Sequence, residues 1–165
     1  MSVSLKETVG VAGYASSIGY SSPSWLVPFQ KDAAIAIVQL LRDTGAYPFV
    51  KTPVPIALLS FELSSYAWGR STNPYSAKHS PVESTGGEAA LLVFGGSRLD
   101  IGTDVAGSVR IPTHCSGIYT IKASTQRFPK GGNNTSVVRQ EGIPAVYSPL
   151  TRTETLWRAI VGMKP

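Results

Sequence analysis

The chain has 165 residues, of which 42% are apolar and 15% charged, so it is long enough for one domain with a packed core and too apolar for a disordered polar chain. Lys and Arg exceed Asp and Glu by 15 to 10, a net charge of +5. The basic residues are scattered, with no block of like charge and no basic stripe among aromatics, which argues against nucleic-acid binding. A lone Cys115 excludes an internal disulfide framework and a cysteine-based metal site, and reads as a small buried side chain.

In chain order, residues 2–5 alternate polar and apolar and predict a short strand. Residues 7–30, rich in Gly, Ser, Pro and aromatics, read as irregular. Asp32 then caps a helix to about Thr44, with Ala33, Ala34, Ile37, Val38 and Leu41 on its apolar face and Gly45 as its stop. Tyr47 to Val50 reads as a strand. Pro53 and Pro55 bracket a turn into a short helix over 56–63, and 64–83 reads as loop. A helix follows over 87–94, ended by Gly95-Gly96, then a strand over 99–103 and another over 117–121. Residues 129–136 form a polar loop, in which Asn133-Asn134-Thr135 is a loop sequence rather than a glycosylation site. A last helix covers 153–161. Alternation of helix and strand predicts an α/β fold with a mixed sheet flanked by helices. No repeat, low-complexity tract or interdomain linker is present.

The N-terminal Met1-Ser2-Val3-Ser4-Leu5-Lys6 resembles neither a signal peptide nor an anchor, and the longest apolar stretch, 33–41, is too short to span a bilayer. The expectation is a cytoplasmic protein with no membrane segment.

Chemistry concentrates in residues 84–112. A Ser-Thr-Gly-Gly turn opens a helix, and a Gly-Gly turn opens a strand that runs into Gly102-Thr103-Asp104-Val105-Ala106-Gly107-Ser108. Small residues let consecutive N–H groups point into one concavity, a nest for developing negative charge, and Ser108 stands at its end as a candidate nucleophile. Asp104 and Arg110 flank the turn and are placed to hold it by charge-assisted hydrogen bonds. An ordinary glycine-rich connection and a phosphate cradle are the alternatives, although neither GxGxxG nor GxxxxGK[ST] is present.

This stretch resembles the glycine- and serine-rich signature of the amidase signature family. The family pattern GGSSGGEAAL, then GGSPLGIGTDIGGSIRIP, then a CGIYGLKPT-like strand is matched in order and spacing by VESTGGEAALL, GGSRLDIGTDVAGSVRIP and CSGIYTIKAST. VSLKETVGVAGYASSIG resembles the segment around the family's catalytic lysine, and GAYPFVKTPVPIALLSFE its GAIIIGKTNVPEF segment. WGRSTNPY and SPLTRT resemble FGRTxNPY and GPLARS. The likeness covers nearly the whole chain.

The resemblance implies an amidase that hydrolyses a small carboxylic amide through an acyl-enzyme, with a Ser–Ser–Lys triad and no cofactor or metal. Ser108 matches the nucleophile, Ser84 the bridging serine and Lys6 the base. A serine hydroxyl needs a base to take its proton, and a lysine of ordinary pKa about 10.4 serves only if burial lowers it. The amides of Val105, Ala106, Gly107 and Ser108 match the oxyanion hole. Leu58 and Ser60 match positions lining the acyl side, and Lys51 has the family's KT context without being the base.

The chain departs from the pattern at several positions. Val82 and Glu83 replace two glycines before Ser84, where the family has a cis bond. Ala106 replaces a glycine in the oxyanion turn, Pro53 the Asn of KTN, and Ala123-Ser124 the Pro-Thr of KPT. Family members are several hundred residues long, so residues 1–165 are expected to be a partial amidase signature domain, its flanking helices and strands lying outside. The alternative is a truncated, inactive remnant that binds a partner or ligand. His79 and His114 have no partner at metal-ligand spacing, and Trp25, Trp68 and Trp157 read as packing residues.

Overall fold

Residues 1–20, 27–28, 36–125, 127–128 and 146–162 are described in the computed structural model. The N-terminal alternation forms β1 (Ser2–Lys6), and 7–30 contributes β2 (Ala15–Ser16) and β3 (Val27–Pro28), two-residue strands paired antiparallel where irregular chain was expected. Then come α1 (Ala36–Asp43) and β4 (Tyr47–Thr52). The predicted cap Asp32, together with Trp25 and the 129–136 loop, lies outside the described residues. α1 ends as expected: the amides of Thr44, Gly45 and Ala46 return to the carbonyls of Leu40, Arg42 and Leu41.

The helix expected over 56–63 is a single 3-10 turn, Ile56–Leu58, because Ala57 (φ 53°) and Leu58 (φ 63°) turn left-handed inside it. The 64–83 loop contains a small hairpin, β5 (Ser64–Ser65) with β6 (Gly69–Arg70). Helix α2 (Gly86–Phe94) leads to β7 (Leu99–Asp104), α3 (Arg110–Ser116), β8 (Tyr119–Thr120), β9 (Val146–Thr151) and α4 (Glu154–Gly162). α3 and β9 were not expected. Each contains a proline: Pro112 sits in the first turn of α3, where its missing N–H costs nothing, and Pro149 lies inside β9.

The larger sheet has the order β4-β1-β7-β9-β8. β1 runs parallel to β4 and β7, while β9 is antiparallel to β7 and β8, so the sheet is mixed, as expected. Val3, Leu5 and Ile101 join Val9, Val11, Ile37, Val38, Ala46 and Tyr147 in one apolar cluster. A second cluster packs Ala89, Leu92, Val109, Ile118 and Leu150 between α2, α3 and the sheet. Each fully buried Leu or Val contributes about 1.5–3 kcal/mol. Because strand side chains alternate between faces, packing Val3 and Leu5 against α1 turns Ser4 and Lys6 to the other face, toward α2. α2 sits close to the sheet because its first turn is glycine: a Cβ on Gly87 would lie 2.6 Å from the Pro53 carbonyl oxygen.

No described helix is long and apolar enough to cross a membrane. Two packing expectations are corrected. Cys115 is exposed, as is its neighbour His114, because α3 buries Pro112, Thr113 and Ser116 instead. Trp68 is exposed on the β5–β6 hairpin, whereas Trp157 stacks on Tyr119 with ring centroids 6.0 Å apart.

Candidate active site

Lys6 ends β1 and is 1% exposed. Its Nζ donates to Ser84 Oγ at 2.7 Å, Thr85 Oγ1 at 2.9 Å and the Thr103 carbonyl at 3.1 Å. Burial lowers its pKa from 10.5 to about 8, although the negative charges of Glu88, Asp104 and Glu83 oppose the shift. Lys6 therefore exchanges its proton much nearer neutrality than a surface lysine. Glu88, fully buried one turn into α2, is raised by its own burial while the Lys6 charge pulls it down.

Ser84 and Thr85 lie at the mouth of α2, with Thr85 as its N-cap. The Thr85 hydroxyl makes no cap bond; it contacts Lys6 and donates to the Thr103 carbonyl at 3.4 Å. A helix N-terminus that turns its hydroxyls to a lysine gives up capping energy of about 1 kcal/mol.

Ser108 stands in the turn between β7 and α3. Asp104, buried at the end of β7, organises that turn: its carboxylate accepts from the amides of Gly107 (2.9 Å), Val109 (3.1 Å) and Arg110 (3.3 Å). Arg110 closes on the same carboxylate through Nε (3.1 Å) and Nη2 (3.0 Å). Burial alone would raise the Asp104 pKa, but the guanidinium and these amides outweigh it and hold it below the ordinary value. Gly107 adopts φ 132°, a conformation that glycine provides without strain.

The structure joins Lys6 to Ser84 directly. Ser108 is half-buried, and its hydroxyl donates to Glu83 Oε2 at 3.3 Å rather than to Ser84. Glu83 and Val82, which replace the family glycines, have φ 61° and 60°, so the chain keeps a left-handed backbone here without glycine. All described peptide bonds, including Glu83–Ser84, are trans. Glu83 is pinned on both sides: its amide donates to the Phe61 carbonyl (2.9 Å) and its carbonyl accepts from Gly86 (3.1 Å). The Phe61 bond brings the 56–61 segment beside the site. Leu58 is half-buried in the 3-10 turn, and Ser60 Oγ accepts from the Glu62 amide at 3.1 Å. Of the proposed oxyanion donors, Val105 and Ala106 lie at the solvent side of the turn, and the Gly107 amide is already given to Asp104.

Sequence reasoning missed Thr85, Thr103 and the Glu83–Ser108 contact. The Ser-Thr pair was visible, but which hydroxyls meet Lys6 depends on the packing of α2 over β1. Lys51, outside the candidate triad, is half-buried; its Nζ donates to Ser16 Oγ at 2.6 Å, and burial lowers its pKa to about 8. Among the described residues no group of three or more His, Cys, Asp or Glu is placed to hold a metal ion.

The Amidase family model matches residues 1–156. Fatty-acid amide hydrolase 1 of Sus scrofa is 39% identical over 150 residues, which cover 91% of this chain and 25% of that protein. Amidase 2 of Gibberella moniliformis is 34% identical over 151 residues, 92% of this chain and 29% of that one. Among solved structures, a fatty acid amide hydrolase superposes with a TM-score of 0.83 at 29% identity, over 93% of this chain and 26% of its own. A 6-aminohexanoate cyclic dimer hydrolase gives a TM-score of 0.80 at 25% identity, over 100% of this chain and 35% of its own. The chain thus spans 25–29% of the length of these two curated relatives.

Proposed function

Since this chain belongs to the amidase family, we propose that the protein of which it forms the Lys6–Ser84–Ser108 segment hydrolyses a small carboxylic amide to acid and amine. The observation that carries this reading is the buried Lys6, its pKa lowered by burial, 2.7 Å from Ser84 at the mouth of α2.

In this reading neutral Lys6 accepts the Ser84 proton while Ser84 accepts that of Ser108. The Ser108 hydroxyl first turns from Glu83 to Ser84. Oγ then attacks the amide carbonyl carbon. The amides of Val105, Ala106 and Ser108 receive the developing oxyanion, and Asp104 with Arg110 keeps the turn in place. The tetrahedral intermediate collapses as Ser84 returns a proton to the leaving amine, and Ser84 recovers one from Lys6. Water, deprotonated through the same pair, releases the acid from the Ser108 ester. Leu58 and Ser60 border the acyl group.

A fluorophosphonate probe tests the assignment on the full-length protein. Labelling is expected to vanish in Ser108→Ala and to slow sharply in Lys6→Ala, which removes the proton acceptor. Labelling that survives Ser108→Ala would show the nucleophile misassigned. No labelling and no amide turnover in the native protein would favour the inactive remnant.

A further inference from the structure

The function just proposed leaves one group beside the nucleophile without a task, the Glu83 carboxylate. Its oxygen accepts the Ser108 hydroxyl at 3.3 Å, and its backbone is fixed on both sides by the bonds to Phe61 and Gly86. The side chain is thus aimed at the reacting atom by a left-handed turn that holds a glutamate at φ 61°. A residue whose backbone is kept in a sparsely populated conformation next to a reacting group is a candidate for function.

The other charged groups facing the site are accounted for. Asp104 is paired with Arg110 at 3.0 Å. Lys6 works as a base only when neutral. Burial favours the neutral form of Glu88. The ion pairs among the described residues are Arg70–Glu62, Arg110–Asp104 and Arg158–Glu154, and none includes Glu83. In the reactive form, therefore, the unpaired carboxylate in contact with Ser108 among the described residues is that of Glu83. A substrate carbonyl brought to Ser108 Oγ carries its α-substituent one carbon away, within hydrogen-bond reach of a carboxylate that touches Oγ.

We propose that Glu83 is a specificity-determining residue that selects amides bearing a protonated amine next to the scissile carbonyl, as in amino acid amides, and repels acidic ones. This rests on the amidase reading with Ser108 as nucleophile. The ammonium replaces the Ser108 hydroxyl on Glu83, which also frees that hydroxyl to turn toward Ser84. Substrate binding and alignment of the proton relay then become one event. No bond is made or broken at Glu83.

The test compares kcat/KM at pH 7 for the 4-nitroanilides of racemic alanine, propionic acid and succinic acid monoanion, using the full-length protein, Glu83→Gln and Glu83→Gly. Glycine suits the left-handed backbone and guards against a folding failure of the first variant. The native protein is expected to prefer the alanyl over the propionyl substrate by about tenfold, the scale of one charge-assisted hydrogen bond, and to disfavour the succinyl one. Both variants are expected to bring these ratios toward unity. In the native protein the preference is expected to fade as pH rises through the α-amine range of about 7.7–8.0, a dependence that a merely structural glutamate would not produce. Ser108-dependent labelling of the native protein together with ratios that neither variant changes would overturn the role of Glu83 and leave the amidase reading standing. Absence of Ser108 labelling would overturn both.

Discussion

The strands β1, β7 and β9 and the 53–83 arm are built on opposite terms. In the strands nearly every residue is buried, the register of β7 with β1 and β9 is regular, and polar side chains have defined partners: Lys6 on Ser84 and Thr85, and Ser4 on Asp100. The arm has one 3-10 turn and a hairpin of two-residue strands. It exposes Leu59 (88%), Phe61 (72%), Tyr66 (70%) and Trp68 (70%), and it holds or adjoins non-glycine residues at positive φ: Ala57, Leu58, Val82 and Glu83. The strands place Lys6 and the turn that carries Ser108. The arm brings to the site the group that departs most from the family pattern. In the proposed reading, chemistry is held by the part that cannot vary cheaply, and selection among substrates falls to the part that can.

The largest expected effect tests whether the centre serves chemistry rather than stability. Lys6→Met is expected to lower kcat/KM by about a thousandfold or more in the full-length protein, with a smaller loss of stability of about 1–3 kcal/mol, because the buried Ser84 and Thr85 hydroxyls and the Thr103 carbonyl lose their donor. A large fall in both would show that Lys6 is mainly structural. The pH profile sharpens the same point. With the Lys6 pKa lowered to about 8, the base is protonated below that value, so kcat/KM is expected to fall about tenfold per pH unit on the acid side and to level off above it. A limb centred near the ordinary 10.5 would mean that the folded protein does not depress Lys6.

The next effects contrast the two regions directly. Leu150→Ala, at a fully buried position of β9, is expected to cost about 2–5 kcal/mol in chemical denaturation. In the arm, Ala57→Gly is expected to stabilise by up to about 1 kcal/mol, because glycine relieves a left-handed residue at the expense of some chain entropy. Phe61→Ser is expected to change stability by less than about 0.5 kcal/mol. Equal losses at Leu150 and Phe61 would erase the contrast and show that the arm is packed in solution.

The sheet side was the more legible in sequence, because period-two alternation and glycine stops are local signals. β1, β4, α2, β7 and α4 follow from them. β9 did not, since a proline inside a strand argues against one; pairing with β7 and β8 on either side makes a strand of it. α3, a short helix with Pro112 in its first turn, gave no clear periodicity either. Positions of the candidate triad came from ordered motifs, not from periodicity, and motifs say nothing of which hydroxyl meets which nitrogen. Thr85 and Glu83 thus emerged only when α2 was seen packed over β1. The exposure of Cys115 and Trp68 was equally illegible, because composition ranks how often a residue type is buried and is silent on which face a short element turns inward.

Asp104 has a bearing on time as well as on shape. The hydrogens on the Gly107, Val109 and Arg110 nitrogens are all held by one carboxylate at the end of a central strand. For any of them to be replaced by deuterium from solvent, that carboxylate has to let go, and Arg110 holds it from the far side. A glycine-containing connection that would ordinarily exchange within moments is thereby expected to exchange more slowly, at the rate at which the Asp104 carboxylate releases it. The backbone that presents Ser108 thus keeps the clock of one carboxylate, not that of a free loop.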